Sequence, residues 1–319
     1  MATSTATRRL PQVRKQSYWS TLFTTIWNHR LLYLMLVPPF AFFIVFRYYP
    51  MLGNVIAFKK YQLMNGIWGS PWVGFKHFHD LFSDPSFTRV LRNTVLIALY
   101  KLIFTFPAPI VLALFINEIH HLFYKRMLQT IVYVPHFLSW VIYGAILYIV
   151  LSPANGLINN LLAGLGFEKI AFFQRPDLFQ PIVILSSIFK ETGFLAIIYL
   201  ATISSIDPTL YEAAIMDGAN RWRLMRHITL PGLATTIVTL FILQIGFFLN
   251  VGFEQIFVLQ NAIVLGTGDI IETFIYRVGI QKARFDFTTA AGLFNGLVGM
   301  VLVVLADRMA KKLELPGIF

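Results

Sequence analysis

Residues 207–231, DPTLYEAAIMDGANRWRLMRHITLP, are a polar, charged stretch set between two long apolar runs. The punctuation predicts helix, glycine break, helix. Asp207 is an N-cap residue ahead of Pro208, whose missing N–H costs nothing at the first helical position. Residues 210–217 include good helix formers, and Gly218 supplies the left-handed residue that closes such a helix. Asn220 caps a second short helix through Arg221, Leu224, Met225 and Ile228, which Pro231 is expected to stop. Ala213, Ala214, Gly218 and Ala219 keep one side small enough for another backbone to approach. Leu210, Ile215, Met216, Leu224 and Met225 offer apolar contacts beside Arg221, Arg223 and Arg226. Nothing in the stretch suits catalysis; it has the chemistry of a docking surface.

The flanking runs set the class. Of 319 residues, 57% are hydrophobic and 13% charged, against about a quarter charged in a soluble domain. With a mean hydropathy of +0.67, the chain reads as an all-α, polytopic membrane protein. The net charge of +11 then belongs largely to segments facing anionic lipid, and implies no nucleic-acid partner. The absence of cysteine excludes disulfides, thiol catalysis and cysteine metal sites.

Apolar runs at 31–49, 90–116, 130–151, 181–203, 233–259 and 288–305 predict six spans. Pro107 and Pro109 are expected to kink the second. Residues 1–30 form a basic tail with Arg8, Arg9, Arg14, Lys15 and Arg30, and the first span reads as an uncleaved anchor. The aromatic stretch 50–88 is expected along the outer interface. Four segments follow: the tail 1–30, the first span with its outer segment at 31–89, a five-helix core at 90–306 containing the loop 207–231, and a tail at 307–319. Lys and Arg on the segments assigned inside, including Lys125, Arg126, Arg221, Arg308, Lys311 and Lys312, favour cytoplasmic N- and C-termini.

Ionisable residues at membrane depth are costly and usually face protein or water. Lys101, the adjacent Lys190 and Glu191, and Glu254 qualify, either as the lining of a polar path or as interhelical pairs. The fifth span also carries Gln244, and its Gly246, Asn250, Phe253 and Glu254 recur at three- and four-residue steps, roughly one helix face. Such a polar and aromatic stripe suits a sugar, and close helix packing at Gly246 and Gly252 is the alternative. His77, His79 and Asp80, or Glu118, His120 and His121, have no recognised metal-ligand spacing, and no metal is expected. No phosphate-loop motif occurs, so ATP would have to be bound by another chain.

The spacing Glu212-Ala213-Ala214, Gly218, Ile228, Leu230-Pro231 resembles the EAA loop of ATP-binding-cassette (ABC) importer permeases. Residues 188–194 (IFKETGF), 250–255 (NVGFEQ), 276–279 (YRVG) and 290–295 (AAGLFN) look like spans of the carbohydrate branch, near the maltose permease. The resemblance covers roughly 91–312. It implies a type I importer permease fold in the cytoplasmic (inner) membrane, with no catalytic residue and no cofactor of its own. ATP and Mg would sit on a partner ATPase dimer. A second homologous permease and an extracytoplasmic solute-binding protein would complete the assembly. The resemblance makes Tyr211, Glu212, Ala213, Ala214, Asp217, Gly218, Ala219, Arg221, Ile228, Leu230 and Pro231 the ATPase-coupling residues. It leaves Gln244, Asn250, Phe253, Glu254, Lys190, Glu191 and Lys101 as the substrate path. An oligosaccharide is the expected solute, an acidic one being suggested by the excess of Lys and Arg. The alternatives are an amino-acid or phosphate importer permease, or a secondary transporter, which would show an internal repeat that this chain lacks.

Overall fold

The computed structural model describes residues 25–312. The basic tail through Lys15 and the end of the chain from 313 lie outside them. The described residues are helical, with one isolated bridge, Lys59 to Trp72. The chain forms two compact units, one up to Val55 and one from Ile56 onward.

In the first, α1 (Arg30–Phe58) runs for 29 residues and ends in a 3-10 stretch past the unit boundary. That exceeds the roughly 20 residues a bilayer core requires. Pro50 does not break it, because the turn before the proline widens into a π turn at Ile44–Tyr48. A π turn gives room where the proline ring would strike the carbonyl four residues back.

In the second unit a single helical turn at Gly66–Gly69 precedes α2 (Lys76–Ser83) and α3 (Pro85–Asn117), 33 residues long. Asp84 caps α3 by accepting the Ser86 N–H at 2.8 Å, with Pro85 at the first position. The expected disturbance near Pro107 and Pro109 is a second π turn, Lys101–Thr105, closed by the Phe106 N–H on the Lys101 carbonyl. Two helices follow, α4 (Leu122–Phe137) and α5 (Trp140–Val150), bent 106° from each other. The third span expected at 130–151 is thus a broken pair. Ser139 accepts the Ile142 N–H and starts α5 afresh.

Beyond α6 (Leu157–Gly164), the 29-residue α7 (Pro176–Ser204) runs through the middle of the unit and packs against the second half of α3. A methyl group at Gly193 would overlap the Val132 carbonyl, so the two backbones touch there and glycine is required. The loop contributes α8 (Pro208–Met216) and α9 (Arg221–Gly232), and α10 (Ala234–Gly246) leaves α9 at a 55° bend. α9 ends one residue past Pro231, as the proline predicts, after a third π turn at Met225–Thr229.

The fifth span differs most from expectation. Instead of one helix over 233–259, α10 stops at Gly246 and α11 (Phe253–Leu259) starts after a non-helical gap. Glycine is needed at 252 for its φ of +103°. The predicted stripe through Asn250, Phe253 and Glu254 therefore does not lie on one helix face. α12 (Ile271–Ile275) continues as a π turn, Tyr276–Ile280, and α13 (Phe285–Lys312) closes the unit. Among the described residues four helices are long and apolar enough to cross a membrane, and up to six spans result if each bent pair counts as one.

Among the described residues the buried apolar side chains gather in three clusters. One joins Ile97, Phe179, Val183, Ile256 and Ile270. The second joins Leu81, Phe87, Ile271, Phe274 and Phe287. The third, around Ala113, Ala196, Tyr199 and Leu233, lies nearest the 207–231 loop in sequence. Burying such side chains is worth about 1.5–3 kcal/mol each in water, less where lipid is the alternative.

Candidate functional site

Two places carry polar chemistry. In the loop, Asp207 accepts the Thr209 N–H at 2.9 Å, and Asn220 accepts the Arg223 N–H at 2.9 Å. The Thr209 N–H holds the Asp207 carboxyl below its ordinary range. At the end of α8 the Gly218 N–H donates to the Ile215 carbonyl (3.0 Å) and the Ala219 N–H to Ala214 (2.9 Å). This is a Schellman closure, with Gly218 at φ +79° and open space around it. Across the loop, the Tyr211 hydroxyl pairs with that of Thr229 at 3.0 Å. Gly232 sits so close to Ile206 that a Cβ would meet its Cδ1 at 2.6 Å, which closes the loop at its base.

The loop is tied internally and open externally. Glu212, Ala213, Asp217, Gly218, Arg221 and Pro231 are exposed, Tyr211, Ala214, Ala219 and Ile228 half-buried, and Leu230 is 40% exposed. Met216 at 87% and Trp222 at 67% exposure add an apolar face. Trp222, which sequence reasoning passed over, lies between Arg221 and Arg223. Glu212, Arg221, Arg223 and Arg226 make no ion pair among the described residues.

The second place is a cavity of about 390 Å³ between α3, α7, α10 and the gap before α11. It brings together Lys101, Glu191, Gln244 and Asn250 from the sequence-predicted residues, with Phe106, Trp140 and Tyr199 supplying rings. The Lys101 ammonium donates to the Val251 carbonyl at 2.6 Å and to Gln255 Oε1 at 2.7 Å. Gln255 is fully buried, and its Nε2 donates to the Val183 carbonyl (2.7 Å) and Ser186 Oγ (2.9 Å). Ser187 Oγ donates to Gln255 Oε1 at 3.0 Å. Sequence reasoning placed Gln255 on the span but gave it no role; the partners of its Nε2 come from α7, 69–72 residues away.

The remaining candidates lie outside this cavity. Lys190 is buried behind it, donating to the His136 carbonyl at 2.7 Å and lying 5.2 Å from the Trp140 ring. Its neighbour Glu191 is held by His136 Nδ1 at 2.7 Å, and the His136 ring stacks on Phe194. Phe253 stacks on Phe257 with centroids 5.2 Å apart, and Glu254 is exposed on α11. Asn250 also borders a second cavity of about 380 Å³ between α10 and α13, where its Oδ1 accepts from Asn295 Nδ2 at 2.7 Å. Among the described residues no three His, Asp or Glu side chains converge as metal ligands. His77 instead bonds the Lys59 carbonyl at 2.9 Å, with Asp286 3.5 Å away.

This arrangement can bind a hydroxyl-rich solute: amides and charges for hydrogen bonds, rings for the apolar faces of a sugar, and no converging acid–base set. Comparison with known proteins points the same way. Residues 105–315 match the family model described as "Binding-protein-dependent transport system inner membrane component". The chain is 46% identical over 288 residues to protein LplB of Bacillus subtilis, covering 90% of this chain and 91% of that one. It is 46% identical over 292 residues to the polygalacturonan/rhamnogalacturonan transport system permease YteP of the same organism, covering 92% and 91%. Its fold superposes with a TM-score of 0.87 and 43% identity on a chain of a bacterial alginate ABC transporter, solved in complex with an alginate pentasaccharide-bound periplasmic protein. That match covers 93% of this chain and 99% of that one.

Proposed function

The chain belongs to the family of binding-protein-dependent transport system inner membrane components, as the permease of a carbohydrate ABC importer, and from that premise we propose that it passes an acidic oligosaccharide through the cavity beside Lys101. The observation that carries the reading is the convergence of Lys101, Glu191, Gln244 and Asn250 with Phe106, Trp140 and Tyr199 on one cavity among otherwise apolar helices. A saccharide needs hydrogen-bonding groups for its hydroxyls and flat rings for its faces. The relatives named for polygalacturonan and alginate supply the expectation of a uronic-acid chain. Lys190 acts from behind, holding His136 and with it Glu191. Phe253 and Glu254 lie off this path.

ATP and Mg belong to a partner ATPase dimer, and a second, related permease completes the membrane portion. A solute-binding protein delivers the ligand. The exposed face of 207–231 is the part that seats in the ATPase: Glu212 pairs with a basic residue there, while Ala213 and Gly218 let the backbones approach. Motion of the ATPases then rocks the spans between inward- and outward-facing states. The termini lie in the cytoplasm, with the tails 1–30 and 307–319 flanking the spans.

The test is uptake by the reconstituted importer of alginate oligosaccharides and malto-oligosaccharides of equal length. Gln244→Ala and Glu191→Gln should reduce alginate uptake several-fold with the complex intact. Unchanged uptake in both variants would remove the cavity from the path, and preference for the malto-oligosaccharide would remove the acidic substrate.

A further inference from the structure

The gap between α10 and α11 is held in an unusual way. The carbonyl of Val251 and the N–H of Gly252 belong to one peptide group. The oxygen of that group receives the Lys101 ammonium at 2.6 Å, and its N–H donates to the Glu272 carboxylate at 3.2 Å. A cation from α3 faces the negative end of the peptide dipole, and an anion from α12 faces the positive end. Three further features make this a built arrangement. Lys101 opens the π turn of α3, so the side chain leaves a locally widened helix. Its second bond, to Gln255 Oε1, ties the start of α11 to the same ammonium, while Gln255 itself is anchored on α7. Gly252 has the left-handed φ of +103°, which places this peptide group where a helical continuation would not.

We infer that Lys101 and Glu272 are positioning residues for transport: together they pin the Val251–Gly252 peptide and so fix the non-helical wall, 247–252, of the cavity. The inference rests on the reading of that cavity as the solute path. Non-helical backbone at membrane depth is tolerated only where its polar groups are satisfied by protein or water. Here both groups of the central peptide are satisfied by opposite charges carried on two different helices. Any rocking of α3 against α12 must therefore carry the wall along or release it. The Lys101 ammonium has three donors and spends two on Val251 and Gln255, so its chief task is to hold the wall rather than to bind solute.

The test uses the complete importer in proteoliposomes, with hydrogen exchange read on the peptide covering 247–256. In Lys101→Met and Glu272→Ala, exchange there should rise at least tenfold while the coupling-loop peptide 207–220 stays unchanged. Alginate oligosaccharide moved per ATP hydrolysed should fall at least threefold. Glu272→Gln, which keeps an oxygen for the Gly252 N–H, and Lys101→Arg, which keeps the cation, should recover most of both losses. They decide the matter if a truncated variant fails to assemble. Unchanged exchange, or raised exchange with an unchanged transport-to-hydrolysis ratio, overturns the inference. The cavity reading is tested separately, by whether alginate pentasaccharide protects Gln244→Cys from a thiol reagent in this cysteine-free chain. No protection with the Lys101 effects intact rejects the path and leaves the pin.

Discussion

Two glycines three residues apart on α13 should respond to the same substitution with opposite signs. At Gly299 an added Cβ would stand 2.8 Å from the Gly246 carbonyl oxygen, a backbone atom at the end of α10. At Gly296 nothing lies within 4 Å. Replacing a mid-helix glycine by alanine gains about 0.5–1 kcal/mol wherever there is room. Gly296→Ala should therefore stabilise the chain by that amount. In Gly299→Ala the same gain is set against overpacking, which costs about 1–3 kcal/mol because backbone cannot swing aside as a side-chain end can. The shift it forces also acts one turn away, on the 2.7 Å bond between Asn295 and Asn250. A net loss of up to about 2 kcal/mol leaves the two variants roughly 1–3 kcal/mol apart, or about 2–6 °C in unfolding midpoint. The assay is thermal unfolding of the purified chain in one detergent, with both variants and the parent in parallel. Equal midpoints, or Gly299→Ala above Gly296→Ala, would refute the claim that α10 and α13 meet backbone to backbone.

Further outcomes concern the loop. Glu212→Lys and Gly218→Trp should leave membrane insertion intact and lose the co-purifying ATPase, read by affinity capture from the native membrane. Tyr211→Phe removes the bond to Thr229 and should cost about 1 kcal/mol of loop stability, seen as faster hydrogen exchange across 208–216 with α7 unchanged. Because the folded pKa of Asp207 is depressed, its cap is fully present above the unfolded value of 3.8 and fades only as pH falls through the lower folded value. Exchange at the Thr209 amide, corrected for intrinsic rate, should thus be flat from pH 7 to 5, and Asp207→Ala should raise it throughout.

Local chemistry was the most legible part of the sequence. Asp207, Gly218 and Asn220 take the places that their cap and turn chemistry predicts, since those roles depend only on neighbours in the chain. The approximate limits of the long helices followed from apolar runs, and the expected six spans are reached when each bent pair counts as one. What periodicity could not reveal is where an apolar run stops being helical. Residues 233–259 read as one span, yet the chain leaves the helix after Gly246 because Lys101, Glu272 and Asn295, all remote in sequence, supply partners for the freed backbone and for Asn250. The signal was there in the cluster Gly246, Asn250, Gly252. The 106° bend after Phe137 had its own markers in Pro135 and Ser139. Pro231 marked a stop that the helix makes at Gly232, but the widened turn before the proline had no marker in the sequence. Within the cavity Lys101, Glu191, Gln244 and Asn250 stood out from sequence, whereas Trp140, Tyr199 and Gln255 were given no role, because what brings them to the cavity is packing between helices remote in sequence.

The widened turns before Pro50, Pro107 and Pro231 amount to one surplus residue each in an otherwise regular screw. One residue is a phase step of about 100° around the axis. The helix beyond each turn is therefore set out of phase with the helix before it, and the proline locks that offset in place. In α3 the offset lets Lys101, Thr105, Phe106 and Pro109 all look onto one cavity. Deleting a single residue from 101–105 would remove almost no mass and no charge beyond that residue. It would still rotate the whole second half of α3 by more than a quarter turn, aiming Phe106 and Pro109 away from the cavity and Ala113 out of its cluster with Tyr199. The length of this segment should accordingly tolerate change less well than its composition.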